Sequence, residues 1–204
     1  MAQKPSFTPV ASPVPVISPL FCTPHPVDLA MNKKCGLCPV LFPNFVVKDV
    51  NGNIVFKVKH GPVQMSYYAS STQRVIFDAA GNCIITLRRQ ALSARWEGFR
   101  GDITKAKDLL FTANITSRAK AKRLDVFLAS NTAQEVCDFN VKGSFWGGSC
   151  VIYAGESSTI VAEMRMKCSV RTCLGYGKYM VTVHPNMDYA FIVALIMIVE
   201  TLYD

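Results

Sequence analysis

The side chains able to do chemistry are few in this chain of 204 residues, and their spacing assigns them little. Cys35-Gly36-Leu37-Cys38 has the spacing of a redox pair or of half a zinc site. A structural zinc ion takes four ligands, usually as two local pairs. The other close pair, Cys168 and Cys173, is an irregular partner, and no strand–helix–strand pattern surrounds Cys35 to support a thioredoxin-like motif. These cysteines therefore read as small hydrophobes. His25, His60 and His184 are scattered, and no Gly-x-Ser-x-Gly elbow, P-loop or His-Glu-x-x-His motif occurs. Asp125, Asp138, Glu156 and Glu163 stand singly on strand-like segments, as solvated carboxylates do. No catalytic residue, metal site or cofactor is expected, and the chain reads as non-enzymatic.

Two segments repeat Asp-x-x-Gly-Asn, at Asp49–Asn53 and Asp78–Asn82. A calcium loop needs several carboxylates and a closing glutamate. Each aspartate stands alone, so a turn-forming role is expected. The remaining candidates are bases. Lys57 and Lys59 alternate onto one face of a strand, and Arg118, Lys120, Lys122 and Arg123 form the densest cluster. Arg88 with Arg89, and Arg165 with Lys167, are smaller groups. Clustered bases near a surface attract an anionic membrane by ~1 kcal/mol each. The same charges could neutralise nucleic-acid phosphates, but no aromatic stacking platform is interleaved with them. A net charge of +8 spread over a surface also serves solubility alone. Lys57, Lys59, Arg118, Lys120, Lys122 and Arg123 are the candidate anionic-lipid site.

These residues must be positioned by strands. Phe45–Val50 and Ile54–Lys59 flank an Asn-Gly turn, the strongest short hairpin signal, and the pattern recurs 29 residues later around Gly81-Asn82. Short strand-like runs continue at Ala94–Arg100, Leu109–Ile115, Leu124–Ala129, Val136–Val141, Ser149–Ala154, Ile160–Lys167 and Tyr179–His184. About eleven or twelve strands at this spacing fit an all-β barrel or sandwich. Tyr189–Val199 carries one polar side-chain group, the Tyr189 hydroxyl, and follows Pro185 with Asn186 or Asp188 as cap. Eleven residues fall short of the ~20 needed to span a bilayer, so a buried helix is expected rather than a tail anchor. A closed barrel of this many strands has an interior to fill, and the helix would fill it.

Composition agrees with this. Half the residues are apolar and 18% are charged, which excludes an intrinsically disordered chain as a whole. Residues 1–26 hold seven of the eleven prolines, so they are expected to form an extended or disordered tail, with a single domain over 27–204. No signal peptide is expected, and eight cysteines then read as reduced thiols.

Leu124–Leu128, Cys137–Ser144, Val151–Glu156, His184–Ile192 and the hairpin Asp49–Asn53 resemble the plant LURP-one-related family, over about Pro24 to Val199. The resemblance implies a fold similar to the tubby carboxy-terminal domain and to phospholipid scramblases, with about twelve antiparallel strands around a hydrophobic C-terminal helix. The tubby relatives imply phosphoinositide binding and membrane-tethered transcription regulation. The family implies a part in defence or stress responses. The resulting expectation is a cytoplasmic monomer, peripheral at the plasma membrane or nuclear. It binds anionic lipid headgroups or a protein partner, with nucleic-acid association as the alternative. The Cys35–Cys38 pair and the basic Arg118–Arg123 loop are departures that the family does not explain.

Overall fold

The computed structural model describes residues 12–34, 44–61, 64–66, 69–71, 73–90, 93, 95–102, 104–118, 121–144, 148–167 and 178–201. Its strands are β1 (Val27–Lys34), β2 (Asn44–Lys48), β3 (Ile54–His60), β4 (Gln64–Ser66), β5 (Ala69–Ser71), β6 (Gln73–Asp78) and β7 (Cys83–Arg89). They continue with β8 (Arg95–Arg100), β9 (Leu109–Arg118), β10 (Ala121–Leu128), β11 (Phe139–Ser144), β12 (Ser149–Ala154), β13 (Ile160–Met166) and β14 (Lys178–Val183). One helix, α1 (Tyr189–Glu200), follows.

Alternation gives each wall strand an apolar side, and closing the sheet hides that side from water. The strand order is β1-β14-β13-β12-β11-β10-β9-β8-β7-β6-β3-β2, closed into a barrel, with β4 and β5 as a separate two-stranded ribbon. Every wall pairing is antiparallel, and β1 closes the barrel by pairing with both β14 and β2. Both Asp-x-x-Gly-Asn segments form the expected turns. In each, the aspartate carboxylate accepts from the asparagine backbone N–H at 2.8 Å and from its side-chain amide at 2.9–3.0 Å. Gly52 and Gly81 take φ of +85° and +97°, which favours glycine at both. Gly98 answers a different need: a Cβ there would lie 2.5 Å from the Phe111 ring across the wall.

Helix α1 is buried from Ala190 through Glu200, as its unbroken apolar run requires. Phe111 and Phe139 pack on Phe191 with centroids 5.1 Å apart. The cap is Asp188. Its Oδ1 accepts from Ala190 and Phe191 N–H at 3.1 and 3.0 Å. Its Oδ2 accepts from Val16, Ile17 and Ser18 N–H at 3.2, 2.7 and 3.1 Å. Burial pushes the carboxyl above its usual range, and these N–H bonds oppose the shift.

Those last three bonds tie down part of the stretch expected to be an extended or disordered tail. From Ser12 the chain is placed as a strap across the helix N-terminus. Ile17 is 2% exposed, Phe21 stacks edge-on against Phe56 and Tyr189, and Arg100 donates to the Ile17 carbonyl. The prolines deny this strap a place in the sheet, but side-chain and carboxylate contacts hold it. Residues 1–11 lie outside the described residues.

At the opposite end, Glu200 does not emerge into water. It is 2% exposed, accepts from Arg74 at 2.6 Å and from Lys33 at 3.0 Å, and both bases reach inward from the wall.

Candidate functional site

On β3, Phe56 and Val58 face the core, so Lys57 and Lys59 stand on the outer face. Lys57 donates to the Ala79 carbonyl at 3.4 Å, and the Lys59 ammonium lies 5.3 Å from the Phe77 ring centroid. Neither forms a salt bridge with a described residue.

The second expected cluster is a hairpin rather than a loop. Strand β9 runs to Arg118 and β10 starts at Ala121, with Arg118 paired to Ala121 and Arg123 to Thr116. Lys120 lies outside the described residues, as do the side chains of Arg118 and Lys122. Arg123 is already engaged. Its guanidinium donates to Asp125, approaches Glu156 at 3.7 Å and contacts Cys137 Sγ at 3.5 Å. Strands β3 and β10 are five steps apart one way round the barrel and seven the other. The two clusters therefore stand on nearly opposite walls, and the structure does not bring them together. The lesser groups are also occupied. Arg88 pairs with Glu97 at 2.8 Å, and Arg165 lies 3.4 Å from Glu163.

The wall gathers a different set of bases around Lys57 and Lys59. Leu29 and Met31 of β1 point inward, which turns Ala30 and Asn32 outward. The register sets Ala30 between Met180 of β14 and Lys48 of β2, and sets Asn32 between Lys178 and Val46. A short side chain between two long ones leaves a groove, and one of about 630 Å³ follows β1 there. The β2–β3 turn closes one end, with Val50 76% and Ile54 39% exposed. Lys48 and Lys178 have no salt bridge among the described residues. Asp49, on the rim, is held below the usual carboxylate range chiefly by the Asn53 side chain. Strands β14, β1, β2 and β3 are contiguous in the barrel, so Lys178, Lys48, Lys57 and Lys59 share one outer face. Lys48 and Lys178 are far apart in sequence, and no local signal marks them; the pairing of β1 with both neighbours makes them one site.

For catalysis the described residues offer little. No group of three or more His, Cys, Asp or Glu among them could hold a metal ion. Cys22, Cys83, Cys137 and Cys150 are free thiols, and burial pushes Cys150 up to about 12, so it is not a ready nucleophile. Cys35, Cys38, Cys168 and Cys173 lie outside the described residues. No helix among the described residues is long and apolar enough to cross a membrane.

A twelve-stranded antiparallel barrel closed around one C-terminal helix, with a basic grooved outer face, defines the class of protein. The chain belongs to the LURP-one-related family, whose model matches residues 27–200. It is 44% identical over 197 residues to Protein LURP-one-related 15 of Arabidopsis thaliana, covering 95% of this chain and 87% of that protein. It is 38% identical to Protein LURP1 of the same plant, over 91% of this chain and 88% of that one. The X-ray structure of an Arabidopsis thaliana protein, 42% identical, superposes with a TM-score of 0.71 over 93% of this chain and 98% of that chain.

Proposed function

We propose that this chain is a non-enzymatic binding and regulatory protein of plant defence or stress responses, docking on anionic membrane headgroups through Lys57 and Lys59. Family membership supports the physiological setting, through relatives that carry the LURP name. The tubby-like fold that the sequence resemblance implies points to phosphoinositides as one headgroup class. The observation that carries the reading is the outer face of β3. Its two ammonium groups lack a described carboxylate partner, whereas Arg123 on the far wall is neutralised by Asp125. Two amines on one strand face can meet one phosphorylated headgroup, because charge-assisted bonds to phosphate are the strong ones.

Sedimentation with phosphatidylcholine vesicles, with and without phosphoinositide, tests this. Binding is expected only with the anionic lipid, falling steeply with salt because exposed charges are screened beyond ~10 Å at 0.1 M. Lys57→Glu with Lys59→Glu abolishes it at unchanged melting temperature. Equal binding to neutral and anionic vesicles, or to neither, overturns the reading. Affinity for duplex DNA at the same salt, lost in the same variant, would favour the nucleic-acid alternative.

A further inference from the structure

We propose that the groove along β1 is a docking site for an extended acidic peptide segment of a partner protein. The site goes beyond the membrane reading, since its charges are Lys48 and Lys178 rather than Lys57 and Lys59.

The wall is closed, so no unpaired edge of β1 is open to an added strand, and recognition must come from side chains. The backbones of β14 and β2, which flank β1, are set ~10 Å apart by two strand spacings. That width between the Met180 and Lys48 side chains admits one extended chain but not a helix ~10–12 Å across. Ala30 keeps the floor low, and a flat bilayer would touch the rim without reaching it.

Chemistry selects the occupant. Lys178 stands on one wall and Lys48 on the other, two residues apart along β1, so an acidic chain meets a cation on each side. Asp49 does not cancel them, since its carboxylate is bound by the Asn53 amide and backbone N–H. The Asn32 side chain on the floor makes no hydrogen bond to a described residue. An amide carries both donors and an acceptor, which complements a peptide group better than a phosphate that only accepts. In the row of Lys48, the exposed Met180 stands across Ala30 and the exposed Ile54 on neighbouring β3, with the exposed Val50 in the turn beyond. Exposed apolar side chains grouped in this way mark contact sites, and an aliphatic residue of the peptide would cover them.

The test uses fluorescence anisotropy with a labelled octapeptide of alternating aspartate and leucine, and a counterpart of alternating lysine and leucine. The acidic peptide is expected to bind and the basic one not. Lys48→Glu with Lys178→Glu, and separately Ala30→Phe to fill the floor, each weaken binding at least about tenfold. Lys57→Gln with Lys59→Gln weakens it less than Lys48→Glu with Lys178→Glu does, because neither side chain lines the groove. The same variants are mixed with phosphatidylserine-containing vesicles. Ala30→Phe should leave vesicle binding intact, so failure of the membrane reading and failure of the groove are told apart. Should Ala30→Phe not fold, the exposed Met180→Glu replaces it. No binding of the acidic peptide, equal binding of both peptides, or an acidic peptide indifferent to the floor variant overturns the proposal. Vesicle binding lost with Ala30→Phe overturns it too, by giving the groove to lipid.

Discussion

Glu200 ends an apolar helix inside a closed barrel, where a lone carboxylate would be costly to bury. It also sits at the helix C-terminus, where the backbone dipole disfavours negative charge. Arg74 and Lys33 make the placement tolerable, and Arg74 further lies 5.8 Å from the Phe45 ring and 3.7 Å from Met197 Sδ. Removing one member of a buried pair leaves the other uncompensated. Glu200→Ala should therefore cost about 3–5 kcal/mol. Replacing both, as Arg74→Met with Glu200→Leu, should recover most of that loss, because Lys33 is 18% exposed and can turn to water. Urea denaturation at an unchanged m-value checks both. A Glu200→Ala variant as stable as the wild type would mean that Arg74 turns out to solvent once its partner is gone.

The helix and the hairpins were legible because their signals are local. An apolar run after a cap, and an Asn-Gly turn between alternating segments, need no knowledge of the rest of the chain. Strand ends were less so. The expected basic loop from Arg118 is two paired strands, and β11 starts at Phe139 rather than Val136, because register decides where pairing stops. The Arg74–Glu200 pair and the Lys48–Lys178 face depend on contacts between distant segments, which no local spacing encodes. The strap was hidden for a related reason: proline density argued against sheet and helix, and the strap uses neither. Its anchor is one carboxylate shared with the helix cap. Asp188→Ala strips an acceptor from five N–H groups and should cost about 2 kcal/mol or more. Limited proteolysis should then cut between residues 12 and 23 while the barrel persists. An uncut strap would show that Ile17 and Phe21 hold it without Asp188.

At the scale of the molecule, the bases among the described residues are spread around a closed barrel, and a flat surface can meet only one side of it. The face carrying Lys178, Lys48, Lys57 and Lys59 and the hairpin carrying Arg123 look nearly opposite ways. A protein that used both would hold two membranes at once. Arg123 already spends its charge on Asp125 and Glu156, and fields beyond a Debye length of ~10 Å are screened at 0.1 M salt. The far wall should therefore add little to membrane attachment. With anionic vesicles in excess, the protein is expected to sediment with them while light scattering shows no growth in vesicle size. Arg123→Gln should leave attachment unchanged, and Lys57→Glu with Lys59→Glu should remove it. Vesicles that cluster on adding wild-type protein, and disperse again with Arg123→Gln, would show that both walls bind and that the internal pairing of Arg123 gives way to the membrane.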